Sequence, residues 1–136
     1  MKKTAGAAFY AGLAISALIG FLHFFAPCTF GWYSYIPNAP KEIFASVDYV
    51  NFFTSLFLFG LSAILLVLKK KLFAGSGEVF IFYAFLVFAW FCRVIVTLAV
   101  PWPSFLQAWL LAGFSAEFFM TLFPAVYLLW SKTTRF

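Results

Sequence analysis

Four long stretches of hydrophobic residues dominate the chain, separated by short connections that are polar or contain Pro and Gly. They cover about residues 5–26, 42–68, 78–100 and 104–130. Each is long enough for a helix to cross the hydrocarbon core of a bilayer, which takes about 20 residues. None alternates with the period of two that marks a membrane barrel strand. A spanning backbone finds no water to bond with, so it must satisfy its own hydrogen bonds, as a helix does. The pattern predicts an all-α polytopic membrane protein, a four-transmembrane-helix bundle forming one domain over residues 1–136.

The connections support that reading. Residues 27–40 carry Pro, Gly and polar side chains together with Phe30, Trp32, Tyr33 and Tyr35, a mixture suited to a membrane interface. The second stretch ends at Lys69, Lys70 and Lys71, and Ala74-Gly75-Ser76-Gly77 provides a tight turn into the third. Pro101-Trp102-Pro103 ends the third, and Tyr127 and Trp130 suit the interface at the close of the fourth. The opening MKKTAGAAF has the look of a signal peptide. Its apolar run is longer than a usual signal core, no small-residue cleavage site closes it, and Pro27 is ill-suited ahead of Cys28 as a lipoprotein acceptor. The first stretch is therefore expected to stay as a membrane helix.

Composition sharpens the class. The chain is 65% hydrophobic and 10% charged, whereas a soluble domain carries about 25% charged residues. Its 22 phenylalanines are suited to contact with lipid. The net charge of +5 does not call for nucleic acid, because the basic residues cluster where topology puts them. Lys2, Lys3, Lys69, Lys70, Lys71, Lys132 and Arg135 fall at one predicted side, and only Lys41, offset by Glu42, at the other. By the positive-inside rule both termini are expected to be cytoplasmic, in a multi-pass protein of a bacterial inner (plasma) membrane.

Polar residues at membrane depth are costly and mark candidate sites. Arg93 lies about 10 Å below the outer end of the third helix, close enough to snorkel to headgroups or to pair with an acid. Asp48, Asn51, Ser55 and Ser62 share a face of the second helix, and Thr97 lies one turn beyond Arg93. On the first helix Gly12, Ser16 and Gly20 recur every four residues, a spacing that allows close helix packing, and His23 continues the stripe. Contact between Asp48 and His23 would make a pH-responsive pair. Glu117 falls near the midplane of the fourth helix, where it either bonds Thr121 or a neighbouring helix, pairs with Arg93, or relays protons.

No phosphate loop, nucleophile elbow or metal-ligand cluster is present, so neither a cofactor nor a metal is expected. One histidine cannot make a zinc site, and a single histidine on an aromatic helix is weak evidence for a haem or chlorophyll ligand. Cys28 and Cys92 lie at different depths and form no C-x-x-C, which disfavours a catalytic dithiol.

Gly20, His23, Phe24, Pro27, Phe30, Ile36 and Pro37 resemble the DoxX-like group of small four-helix membrane proteins, which often show Gly-x-x-His-Phe, then Pro, an aromatic residue and Ile/Met-Pro. The resemblance covers about 18 residues and the overall topology. The second helix departs from it, with Asp48 and Asn51 where members commonly show Gly and Glu. It implies an accessory membrane subunit associated with quinone or thiol redox chemistry.

The expected function is a binding or accessory subunit with a polar pocket open to the outer leaflet, lined by His23, Asp48, Asn51, Arg93 and Glu117. Its ligand would be amphipathic, a lipid headgroup or a quinone, with Arg93 as a bidentate anchor. Three alternatives stay open: an intramembrane enzyme using His23 or Asp48 as its acid–base group, a small transporter or channel formed by homo-oligomerisation, and a structural subunit of a larger membrane complex.

Overall fold

The apolar stretches fold as four helices long and apolar enough to cross a membrane. A computed structural model describes residues 1–133, and Arg135 lies outside the described residues. The long helices are α1 (Lys2–His23), α3 (Lys41–Val67), α5 (Gly77–Ala99) and α6 (Leu106–Thr133). Two short helices, α2 (Ala26–Thr29) and α4 (Lys69–Phe73), and a 3₁₀ turn at Trp32–Tyr35 occupy the connections. No strand occurs among the described residues.

Local chemistry sets the boundaries. Gly75 follows α4 with φ 101°, a left-handed conformation that glycine adopts without a Cβ penalty. Ser76 then caps α5, its hydroxyl oxygen accepting from the Val79 N–H at 3.4 Å, and Glu78 lies in the first turn. At the other hairpin, the Gln107 amide donates to the Thr97 carbonyl at 2.8 Å. Its oxygen accepts from the Trp102 N–H, also at 2.8 Å. One side chain thereby holds the end of α5 to the start of α6.

Neighbouring long helices run antiparallel. Ser16 meets Glu117 and Gly12 faces Thr121, which fixes α1 against α6. Gly20 abuts Phe59, and the rings of Phe24 and Phe52 are 5.5 Å apart, which fixes α1 against α3. Tyr83 with Thr121 and Trp90 with Phe114 set α5 against α6. The order around the bundle is α1, α3, α5, α6, and α3 packs less closely on α5 than the other neighbours pack on each other. The start of α1, the end of α6 and the lysines of α4 share one end, called here the lysine end.

The distribution of side chains is inside-out by the standards of a soluble bundle. On α3 the buried positions are Asn51, Ser55, Ser62 and Leu65, while Tyr49, Phe52, Phe53 and Phe57 are exposed. That arrangement suits lipid, where small and polar residues let helices approach and aromatic rings face outward. The two halves of the interior also differ. Phe9, Leu13, Leu65, Leu72, Val79 and Leu128 make an apolar core toward the lysine end. Toward the opposite end the buried residues include Ser16, Asn51, Ser55 and Thr97.

Candidate functional site

The polar half is organised around Glu117, which is 2% exposed. Its Oε1 accepts from the Ser16 hydroxyl at 2.7 Å, and the same hydroxyl oxygen accepts from the Trp90 indole N–H at 2.8 Å. One chain of bonds thus joins α6, α1 and α5 across the bundle. One turn along α6, the Thr121 hydroxyl is 3.0 Å from both the Glu117 and the Phe118 carbonyls, and Tyr83 donates to the Thr121 carbonyl at 2.6 Å. Glu117 is therefore tied to a neighbouring helix through its carboxyl and to Thr121 only through its backbone.

Glu117 Oε2 has no hydrogen-bond partner among the described residues although it is buried. Ionised, the carboxylate would hold its charge on one hydroxyl donor. Protonated on Oε2, it would present a donor with no acceptor. Either state leaves a demand that a polar group from outside the chain could meet.

His23 Nδ1, Asn51 Oδ1 and Ser62 Oγ are in the same condition, buried and without a partner among the described residues. His23 meets the Trp32 ring edge-on, with centroids 6.4 Å apart. The Ser55 hydroxyl donates to the Asn51 backbone carbonyl at 2.6 Å, but the Asn51 side-chain oxygen is unbonded among the described residues. These groups do not converge on one point. His23 lies seven residues beyond Ser16 on α1, about 10 Å further along the helix. The arrangement is a polar column rising from Glu117 past His23 toward Asn51.

Asp48 and Arg93 stand outside that column, and both are exposed. The Asp48 carboxylate accepts a hydrogen bond from the Tyr33 hydroxyl, and the Arg93 guanidinium lies 4.7 Å above the Phe114 ring. The expected pairings of Asp48 with Arg93 or with His23, and of Arg93 with Glu117, are thus replaced by other partners. The reason is geometric: the 3₁₀ turn carries Tyr33 to the head of α3, and Arg93 turns toward α6. Thr97 is buried at 8% exposure and donates to the Arg93 carbonyl at 2.8 Å, so the two side chains face different surroundings.

Trp90 and Tyr83 are the polar contributors that the sequence reading passes over. Tyr83, Trp90 and Thr97 recur every seven residues, and all three are buried. That spacing was visible, but in so aromatic a helix it does not separate a hydrogen-bonding ring from a lipid-facing one. Cys28 is exposed, Cys92 half-buried, and both are free. Among the described residues no three His, Cys, Asp or Glu side chains group closely enough to hold a metal.

The Tyr33–Asp48 bond has a measurable consequence. The Tyr33 phenol is pushed up to about 12, first by its hydrogen bond to the Asp48 carboxylate, then by loss of solvation and that carboxylate's charge. Since the folded value lies above the ordinary 10.0, the contribution is full below about pH 10 and lost as pH rises through about 12. A tyrosinate absorbance titration, taken as wild type minus Tyr33→Phe, should place this phenol near 12, and Asp48→Asn should return it toward 10. An unchanged midpoint in Asp48→Asn would remove the bond from the account.

Compared with family models, curated proteins and solved structures, the chain matches none.

Proposed function

We propose that this chain is a membrane-embedded binding or accessory subunit whose polar half faces the outer leaflet, with both termini cytoplasmic, and holds the polar end of an amphipathic molecule. The lysine distribution supports the orientation. The observation that carries the reading is a set of four buried atoms with no partner among the described residues: His23 Nδ1 on α1, Asn51 Oδ1 and Ser62 Oγ on α3, and Glu117 Oε2 on α6. Buried polar groups normally have partners, and unmet atoms on three helices suit a guest that supplies both a donor and an acceptor. The looser packing between α3 and α5 suits lateral entry from lipid.

A quinone or a lipid headgroup has this chemistry: polar oxygens at one end and an apolar tail that can remain among the exposed rings of Phe57 and Phe85. The accessory role, in quinone or thiol redox chemistry, rests on the resemblance to DoxX-like proteins. Arg93 and Asp48 belong to the rim of this site, where Arg93 is within reach of an anionic group in the headgroup layer.

Native mass spectrometry of the gently extracted protein tests the proposal. Wild type should carry a bound small molecule in the mass range of a lipid or quinone. Asn51→Leu and His23→Leu should each weaken its binding by about 5- to 10-fold, read as lost occupancy below saturation, the worth of one hydrogen bond of about 1–1.5 kcal/mol. A bare wild-type protein, or unchanged occupancy in both variants, would sink it.

A further inference from the structure

We infer that the lysine end carries a second, separate site, a cleft that binds the phosphate headgroup of an anionic phospholipid. The cleft has a volume of about 520 Å³ and is lined by Lys2 and Lys3 from the start of α1, Lys69 and Lys70 from α4, and the rings of Tyr10 and Phe73. Gly6 and Ala7 also line it, and no acidic side chain among the described residues does. Two segments far apart in sequence thus bring two lysines each to one concave surface.

Lysines at helix ends ordinarily do no more than fix orientation, and Lys71 is of that kind: exposed and outside the cleft. Lys69 differs. It is half-buried, and its ammonium lies 3.5 Å from the centroid of the Tyr10 ring and 5.8 Å from that of Phe73. Contact with the ring faces holds the ammonium in place while occupying no hydrogen-bond acceptor. The N–H donors not turned to the rings stay available for phosphate oxygens.

The shape of the cleft selects a lipid over a free anion. Tyr10 lies eight residues into α1 from Lys2, about 12 Å along the axis, so the cleft runs from charged helix ends toward the apolar zone. A phosphate at the lysines would leave acyl chains to follow Ala7, Tyr10 and Phe73 into the bilayer. Inorganic phosphate would use the charged mouth and leave the apolar wall idle. Basic pockets of this kind between membrane helices are recognised anionic-lipid sites.

The test is the thermal unfolding of the full chain in a neutral detergent, titrated with phosphatidylglycerol, with phosphatidylcholine, or with inorganic phosphate. Phosphatidylglycerol should raise the wild-type midpoint in a saturable way, and the other two should not. Each lysine near an anionic headgroup is worth roughly a five-fold factor in affinity, so Lys69→Gln with Lys70→Gln should weaken the response roughly 30-fold. Lys71→Gln should leave it unchanged. Ala7→Trp, which fills the cleft and keeps all four lysines, should also abolish the response, and it serves if the double variant fails to fold. Equal protection by phosphatidylcholine or by inorganic phosphate would overturn the inference. So would a Lys71→Gln loss as large as that of the double variant, or a full response in Ala7→Trp.

Discussion

Gly20→Ala should destabilise the bundle by about 1–3 kcal/mol, the usual cost of forcing an extra methyl group into a packed interior. A Cβ at this position would lie 2.5 Å from the Phe59 nitrogen, 3.0 Å from the Phe59 Cα and 3.1 Å from the Leu58 carbonyl carbon. All three are backbone atoms of α3, so no rotamer change relieves the contact and the helices themselves must separate. That separation would also loosen Phe24 from Phe52 and shift His23 of the proposed site. Gly12→Ala should be milder, because its closest contact, at 3.0 Å, is the Thr121 side chain. Gly60→Ala and Gly113→Ala meet nothing within 4 Å, and should be neutral or gain about 0.4–1 kcal/mol from reduced freedom of the unfolded chain. Denaturant unfolding of the four variants in one detergent checks the order. Equal stability of Gly20→Ala and Gly113→Ala would mean that α1 and α3 do not pack as closely as described.

The helices were legible in the sequence because a membrane leaves so few alternatives. Long apolar runs had to be helices, and their ends fell within a few residues of the expected ones. At the first helix the expected span of 5–26 becomes Lys2–His23. Lysine can continue a helix while its ammonium snorkels away from lipid, so an apolar count starts too late. The buried stripe of Asn51, Ser55 and Ser62 followed from spacing alone, since all three turn to the bundle whatever lies opposite.

Partners were less legible. An interval of three groups Asp48 with Asn51, yet Asp48 is exposed beside a tyrosine supplied by the preceding connection, whose path no periodicity encodes. The direction taken by Arg93 depended on α6 lying beside α5, which is a fact of tertiary order. The lysine cleft was hidden for a similar reason. A run of lysines after a helix reads as an orientation signal, and only the separate fold of α4 shows which two of the three face α1.

Glu117→Ala should be among the costliest single changes in the polar half, at about 2–5 kcal/mol. It removes the acceptor of the buried Ser16 hydroxyl and leaves space where α1, α5 and α6 meet. Glu117→Gln keeps the size and an oxygen able to accept from Ser16, so its cost should be clearly smaller. Ser16→Ala should also be damaging, because one hydroxyl serves both the carboxyl and the Trp90 indole. Since the two residues share a bond, Ser16→Ala with Glu117→Ala should cost less than the sum of the singles by about 0.5–3 kcal/mol. Strict additivity would mean that the bond contributes nothing to the fold. The same variants separate structure from ligand binding. A Glu117→Gln protein that folds with near wild-type stability but loses its bound molecule would assign Oε2 to the guest. One that keeps both would reduce Glu117 to a clasp between helices, and the ligand would then have to be held by His23 and Asn51 alone.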